Sequence, residues 1–352
     1  MSIVSILIAM LVFFVIVVLH ELGHFVVAKL CGVKVNKFAV GMGPAIFKKQ
    51  KGETEYSLRA FPIGGYCAME GEDDDSDDPR AFHHRPVWQR MLVVFAGPVM
   101  NLILGFIFII IMTCLYGSLA NLTVAEFRVD PENGECIAMS AETGLQVGDT
   151  IIKINGMQIL VDNDLSYKLS TNDSDTMDVL VRRNGQKVLL KDVTFRNKLN
   201  NTRLDFYVSQ VEFTPLNVIR YSFLDTISTA RLIWSSLRDL FSGKYGFHDL
   251  TGPIGIVSGV SEVISQPGVP LKDHVLNLLN LASFITVNVG IFNLLPIPAL
   301  DGARLVFLVV EGIRRKPIPP EKEGMVHLAG MALLFLLMIA VSIQDILKLF
   351  NP

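Results

Sequence analysis

The run His20-Glu21-Leu22-Gly23-His24 puts two imidazoles four residues apart, with a carboxylate beside the first. On a helix both rings leave one face and can share a metal ion, while the Glu stands where a general base is needed. The run also closes an apolar stretch, and ionisable groups in a membrane-spanning helix are costly enough to mark function. Zinc suits this spacing, but a catalytic zinc takes three protein ligands and the two His leave it one short. The continuation H-x-x-G-x-x-H does not follow His24, and the basic segment KVNKFAVGMGP occupies the stretch where a zincin carries its downstream Glu. Asp301, in NLLPIPALDG, is the remaining candidate; the start of a helix over 302–313 is the structural alternative for the same residue.

His20 and Asp301 are far apart in the chain, so the elements between them have to bring them together. Of 352 residues, 51% are hydrophobic and 18% charged, against about 25% charged in soluble domains. Uncharged stretches at 3–19, 91–125, 275–300 and 325–344 predict four transmembrane helices. The first lacks the basic start and small-residue cleavage site of a signal peptide, so it reads as a span. Ten Lys and Arg fall between 29 and 90 and five between 302 and 324, whereas the N-terminal flank has none before Lys29 and the C-terminal flank only Lys348. The positive-inside rule then places both basic loops in the cytoplasm and both termini outside. His20 lies roughly 27 Å along its helix, toward the cytoplasmic side, and Asp301 reaches that depth at the inner end of the third span. Pro296 and Pro298 predict an unwound backbone there, of the kind tolerated in a membrane only where it is buried in protein or faces water. A net charge of −3 offers no field for nucleic acid. Four Cys without a C-x-x-C pair exclude a disulfide scaffold and a Cys-zinc site.

The exported stretch between spans two and three reads as a β-rich module. Thr150–Ile154 is strand-like, Asn155-Gly156 is a strong hairpin signal, and Val179–Val181, Asn184-Gly185 and Lys187–Leu190 suggest a second hairpin. GLQVGDTIIKING resembles the PDZ core signature; a generic small β module is the alternative. Leu216–Phe241 repeats apolar residues at helical spacing, which predicts an amphipathic helix. The acidic run 70–78 lacks EF-hand spacing and reads as a solvated loop. His83, His84, His248, His274 and His327 read as solvated or packed, not ligating. The expected organisation is a membrane half at 1–119, a PDZ-like domain at 120–210, a helix and connector at 211–270 and a second membrane half at 271–352.

HELGH in span one, FAGPVMN in span two, the PDZ-like insert, GPIGIVSG and NVGIFNLLPIPALDG together resemble the site-2 protease family of intramembrane zinc metalloproteases. The resemblance covers almost the whole chain and points to the bacterial, PDZ-containing members. It implies an α-helical polytopic membrane protein with four transmembrane helices, a membrane-associated β-sheet and an extracytoplasmic PDZ-like domain, seated in the bacterial cytoplasmic membrane. The implied reaction is hydrolysis of peptide bonds within transmembrane segments of single-pass proteins, such as anti-sigma factors or remnant signal peptides. The resemblance assigns one Zn2+ to His20, His24 and Asp301, acid/base work to Glu21 and oxyanion support to Asn293, and makes Asn101 a candidate for substrate contact. ETEYSLRAFPIGGYCAME resembles the family's membrane-associated sheet, so Tyr56, Leu58, Gly64 and Gly65 are expected to pair with an extended substrate by strand addition; a self-contained hairpin is the alternative. Ala303 replaces a second Gly after LDG, and no PDZ carboxylate-binding loop is recognisable. Glu21 beside the first His argues for hydrolysis over ion transport or sensing, and its presence with all three ligands argues against an inactive scaffold.

Overall fold

The computed structural model describes residues 3–72, 76–172, 174–200, 202–244, 246 and 250–350. Asp73, Asp74 and Asp75 of the acidic run, and His248, lie outside them. The chain opens with α1 (Ile3–Leu30), β1 (Val35–Lys51), β2 (Thr54–Met69) and α2 (Val87–Tyr116). Then come β3 (Leu119–Phe127), α3 (Met139–Glu142), β4 (Thr150–Ile154), β5 (Met157–Gln158), α4 (Asp162–Thr171), β6 (Thr176–Arg183), β7 (Gln186–Thr194) and β8 (Phe206–Val211). It closes with α5 (Pro215–Phe241), α6 (Pro253–Ser265), α7 (Leu271–Asn293), α8 (Asp301–Arg314) and α9 (Pro320–Phe350). These elements form two compact units, 1–108 with 233–352, and 109–232.

α1, α2, α7 and α9 are long and apolar enough to cross a membrane. With that composition the chain is a polytopic helical membrane protein. The helices depart from the expected spans for local reasons. α1 continues past the apolar run to Leu30, so HELGH sits inside a helix and not at its end. α2 stops at Tyr116, where Gly117 takes a φ of +72°, and the rest of the uncharged stretch, with Leu119, Leu122, Thr123 and Val124, becomes strand β3. α7 ends at Asn293, short of the expected 300, because Pro296 and Pro298 lack the N–H a helix needs. Both readings of Asp301 meet here: it follows the unwound stretch and also opens α8.

β1 and β2 build one antiparallel hairpin whose reversal is at Lys51–Thr54. Residues 45–51 pair with 54–59, and residues 35–40 pair with 65–69 while also facing 55–58 along their other edge. The order across the sheet is therefore 45–51, 54–59, 35–40, 65–69. Phe25 of α1 packs its ring on Phe38 and Tyr56 at 5.2 and 5.9 Å between centroids, fixing the sheet against the helix that carries the two His. The acidic run is not simply solvated: Glu70 accepts from Lys34 at 3.1 Å, Asn36 at 2.8 Å and Ser76 at 2.5 Å. The Ser76, Asn36 and Lys34 donors hold the Glu70 carboxyl down at about 2.

The second unit holds a six-stranded sheet in the order β7-β6-β4-β3-β8, with β5 paired to β4. Its core is Val124, Leu145, Ile151, Ile154, Leu165, Val179, Val181 and Phe206, all at most 1% exposed, together with their neighbours. Both predicted turns are present, with left-handed φ at Asn155 (45°), Gly156 (79°), Asn184 (51°) and Gly185 (81°), the geometry two-residue hairpins require.

Candidate metal centre

His20 and His24 face the same way from the C-terminal half of α1. His24 Nδ1 lies 2.9 Å from the carbonyl oxygen of Val93, which accepts its proton and leaves Nε2 with a lone pair. The two Nε2 atoms stand 3.2 Å apart, and Asp301 Oδ2 is 3.1 Å from that of His20 and 3.4 Å from that of His24. Bond lengths of about 2.0–2.2 Å in a tetrahedral zinc site put ligand atoms about 3.3 Å apart, which is the spacing found. Asp301 Oδ2 is buried and has no hydrogen-bond partner among the described residues. Acceptors crowded together in this way repel one another unless a cation lies between them, so the donor set fits zinc.

His20 is held from behind by Asn101, which is 0% exposed. The Asn101 amide contacts His20 Nδ1 at 3.1 Å through Nδ2, while its Oδ1 has no partner. The two ends of an amide have the same shape, and exchanging them gives the ring N–H an acceptor and fixes the tautomer that offers Nε2. The backbone oxygen of Asn101 in turn accepts Thr286 Oγ1 at 3.1 Å, tying α2 to α7. Asn101 is thus placed behind an imidazole and not, as its resemblance suggested, toward a substrate.

Close helix approach sets these distances. A side chain on Gly97 of α2 would put its Cβ 2.3 Å from His24 Nε2 and 2.8 Å from His20 Cε1. One on Gly23 would come within 2.5 Å of the Ala96 oxygen. One on Gly302 would fall 2.1 Å from the Leu295 oxygen, so Gly302 is what lets α8 start hard against the turn that presents Asp301. Ala303 is buried against its neighbours and leaves this turn intact.

The three donors open into a cavity of about 530 Å3 that is also lined by Glu21, Tyr66, Cys67, Ala68, Met69 and Asn293. Glu21 reaches toward β2: a Cβ on Gly65 would lie 3.2 Å from Glu21 Cγ. Residues 66–69 pair with β1 along one edge, and their other edge has no strand partner among the described residues. Tyr56 and Leu58 sit differently. Both pair with β1 on two sides, Tyr56 with Phe38 and Lys49, Leu58 with Val40 and Phe47, so their backbone is not open to an added strand. Gly64, at a φ of +81°, packs on Met42 and makes the bend that brings 65–69 to the cavity. A cleft of about 810 Å3 continues from the same place, sharing Glu72, Ala299, Asp301 and Arg304 and walled by Met331 and Phe335 of α9. Glu72 and Arg304 form an ion pair across its mouth.

Comparison with known proteins places the chain in a family. The profile described as peptidase family M50 matches residues 8–337. A chain of Clostridium acetobutylicum classed by name among the zinc metalloproteases is 35% identical over 100% of both chains. The regulator of sigma-W protease RasP of Bacillus subtilis is 30% identical over 97% of each chain. The zinc metalloprotease RasP of Bacillus licheniformis is also 30% identical, over 97% of this chain and 98% of its own.

Proposed function

Because the chain belongs to peptidase family M50, the site-2 proteases, and is a membrane-embedded zinc metalloprotease, we propose that it cuts peptide bonds inside transmembrane segments of single-pass proteins. The observation that carries this reading is the meeting of three ligand atoms at tetrahedral zinc spacing, two of them on a spanning helix. His20, His24 and Asp301 would hold the ion, which would supply Lewis acidity and a water that ionises near neutral pH. Glu21, in the same cavity, takes the proton of the attacking water and returns it to the leaving amine. Asn293, at the end of α7, donates its amide to the oxygen that becomes negative.

A helical substrate hides its carbonyls in its own hydrogen bonds and has to be drawn out before one can be attacked. The free edge of residues 66–69 supports strand addition beside Glu21, in place of the Tyr56 and Leu58 backbone. Anti-sigma factors and remnant signal peptides are the proposed substrates, the name of the Bacillus subtilis relative pointing to sigma-factor control. The enzyme works in the bacterial cytoplasmic membrane among its lipids, with the metal near the cytoplasmic side and both termini outside, as the Lys and Arg distribution argues. The β-rich unit is read as an extracytoplasmic PDZ-like domain, supported by its two hairpins and the helix α4 between β5 and β6. Cys136 is free and exposed, so a membrane-impermeant maleimide tests this orientation: labelling of right-side-out vesicles agrees with it, and labelling of inside-out vesicles alone refutes it. For the activity, the purified full chain is expected to cut a model transmembrane peptide, to lose this with a chelator and to regain it with zinc. Cleavage that survives complete zinc removal overturns the reading.

A further inference from the structure

Asp301 is reached through a strained turn. Ala299, two residues before it, has a φ of +79°, a left-handed conformation that costs an L residue free energy because its Cβ crowds the following carbonyl. The local hydrogen bonds of the turn, Ile297 N–H to Leu295 O at 2.7 Å and Leu300 N–H to Ile297 O at 3.1 Å, pass Ala299 by. Its N–H instead donates to Nδ1 of His327 on α9, at 3.1 Å.

An accepting Nδ1 requires the proton on Nε2. That nitrogen is buried with no hydrogen-bond partner among the described residues, its nearest carboxylate oxygen being Glu323 Oε1, one turn earlier on α9, at 3.7 Å, so packing holds the ring. The ring is further fixed by Phe307 of α8, 5.9 Å away between centroids. α9 lies so close to the turn that a Cβ on Gly330 would meet Pro298 Cβ at 2.2 Å. No other His-to-backbone bond among the described residues is made to a residue of left-handed φ outside glycine.

We propose that His327 is a positioning residue: by accepting the Ala299 N–H it holds the strained turn that presents Asp301 to the two imidazoles. This rests on Asp301 being a zinc ligand, and it gives α9 a second task beside walling the cleft that leads to the metal.

The test is zinc affinity of the full-length chain in detergent, measured by competition with a chromophoric chelator, with thermal unfolding as a check on folding. His327→Leu is expected to weaken zinc binding about tenfold. His327→Asn, whose Oδ1 replaces the accepting Nδ1, is expected to stay within twofold of wild type. Ala299→Gly, which adopts the left-handed φ without strain, is expected to restore most of the affinity lost in His327→Leu while changing little by itself. Should His327→Leu fold poorly, His327→Ala removes the ring without adding bulk and reads the same rescue. Wild-type affinity in the folded Leu or Ala variant, or a loss that Ala299→Gly leaves untouched, overturns the proposal. Asp301→Ala separates the two levels: loss of zinc there with no effect at His327 refutes the positioning role alone, whereas wild-type affinity in Asp301→Ala refutes the ligand assignment beneath it.

Discussion

Three enclosed carboxylates of the β-rich unit and Asp301 of the membrane unit are treated in opposite ways; Asp345 of the membrane unit, which accepts the Gly252 and Gly255 N–H groups, goes with the first three. In the β-rich unit Asp149, Asp164 and Asp205 are each 0% exposed, and protein donors answer all three. Asp149 takes both nitrogens of a bidentate Arg183 at 2.8 and 2.7 Å. Asp164 accepts the Leu160 N–H at 2.7 Å and the Ser228 hydroxyl at 2.5 Å, with Arg231 at 2.6 Å. Asp205 is bound by the N–H and hydroxyl of Ser140 at 2.9 and 2.8 Å. Asp301 in the membrane unit opens instead into a cavity, and the oxygen it turns toward the imidazoles has no donor aligned on it among the described residues. A satisfied buried acid holds a fold together; an acid left facing nitrogen lone pairs marks a place for a cation.

The comparison breaks most visibly at Glu21. Glu21→Gln is expected to keep zinc and lower the cleavage rate of a transmembrane peptide by about a thousandfold or more, read by single-turnover kinetics beside metal analysis. On the other side, Asp164→Ala is expected to leave zinc content unchanged and cost about 3 kcal/mol of stability in the β-rich unit, because Ser228 and two backbone N–H groups lose their acceptor; denaturant unfolding reads it. Loss of zinc in this variant would erase the distinction.

Asp225 sharpens it through pH. It is 1% exposed on α5 and accepts Asn163 Nδ2 at 2.9 Å. Burial pushes its carboxyl up to about 6, with Asp162 and Asp164 adding to the rise. A pKa raised on folding means that the folded unit binds more protons than the unfolded chain between about 4 and 6. The associated stability is therefore complete below about pH 4 and is lost as pH rises through 6. Asp225→Asn, still able to accept from Asn163, is expected to flatten that profile and to gain about 2 kcal/mol at pH 8, seen by denaturant titration across pH. The smallest effect expected is at the sheet edge. Ala68→Pro should slow cleavage on the order of tenfold by spoiling strand addition, whereas Lys49→Pro, at the far edge, should change it by less than about twofold.

Much of the metal centre was legible because ligand spacing is local: His20 and His24 need only a helix, and the Pro pair before Asp301 signals a broken one. The hairpins at Asn155-Gly156 and Asn184-Gly185 were legible for the same reason. What holds the imidazoles was not. Gly97, Asn101 and the Val93 carbonyl reach them only through the packing of α2 on α1, and a Gly in an apolar run carries no mark of the side chain it makes room for. The unpaired strand edge lies at 66–69 and not at Tyr56 and Leu58, because alternation reveals a strand but not its place in the sheet. His327 read as solvated or packed, since nothing in the sequence ties it to the backbone of Ala299.

The most direct test of the central claim is zinc X-ray absorption on the purified full-length chain. The account predicts one zinc per chain, bound by two imidazole nitrogens and a carboxylate oxygen at about 2.0–2.2 Å, with the imidazole scattering halved in His24→Ala. Zinc bound through sulfur, or a coordination shell that His20, His24 and Asp301 substitutions leave unchanged, would contradict it.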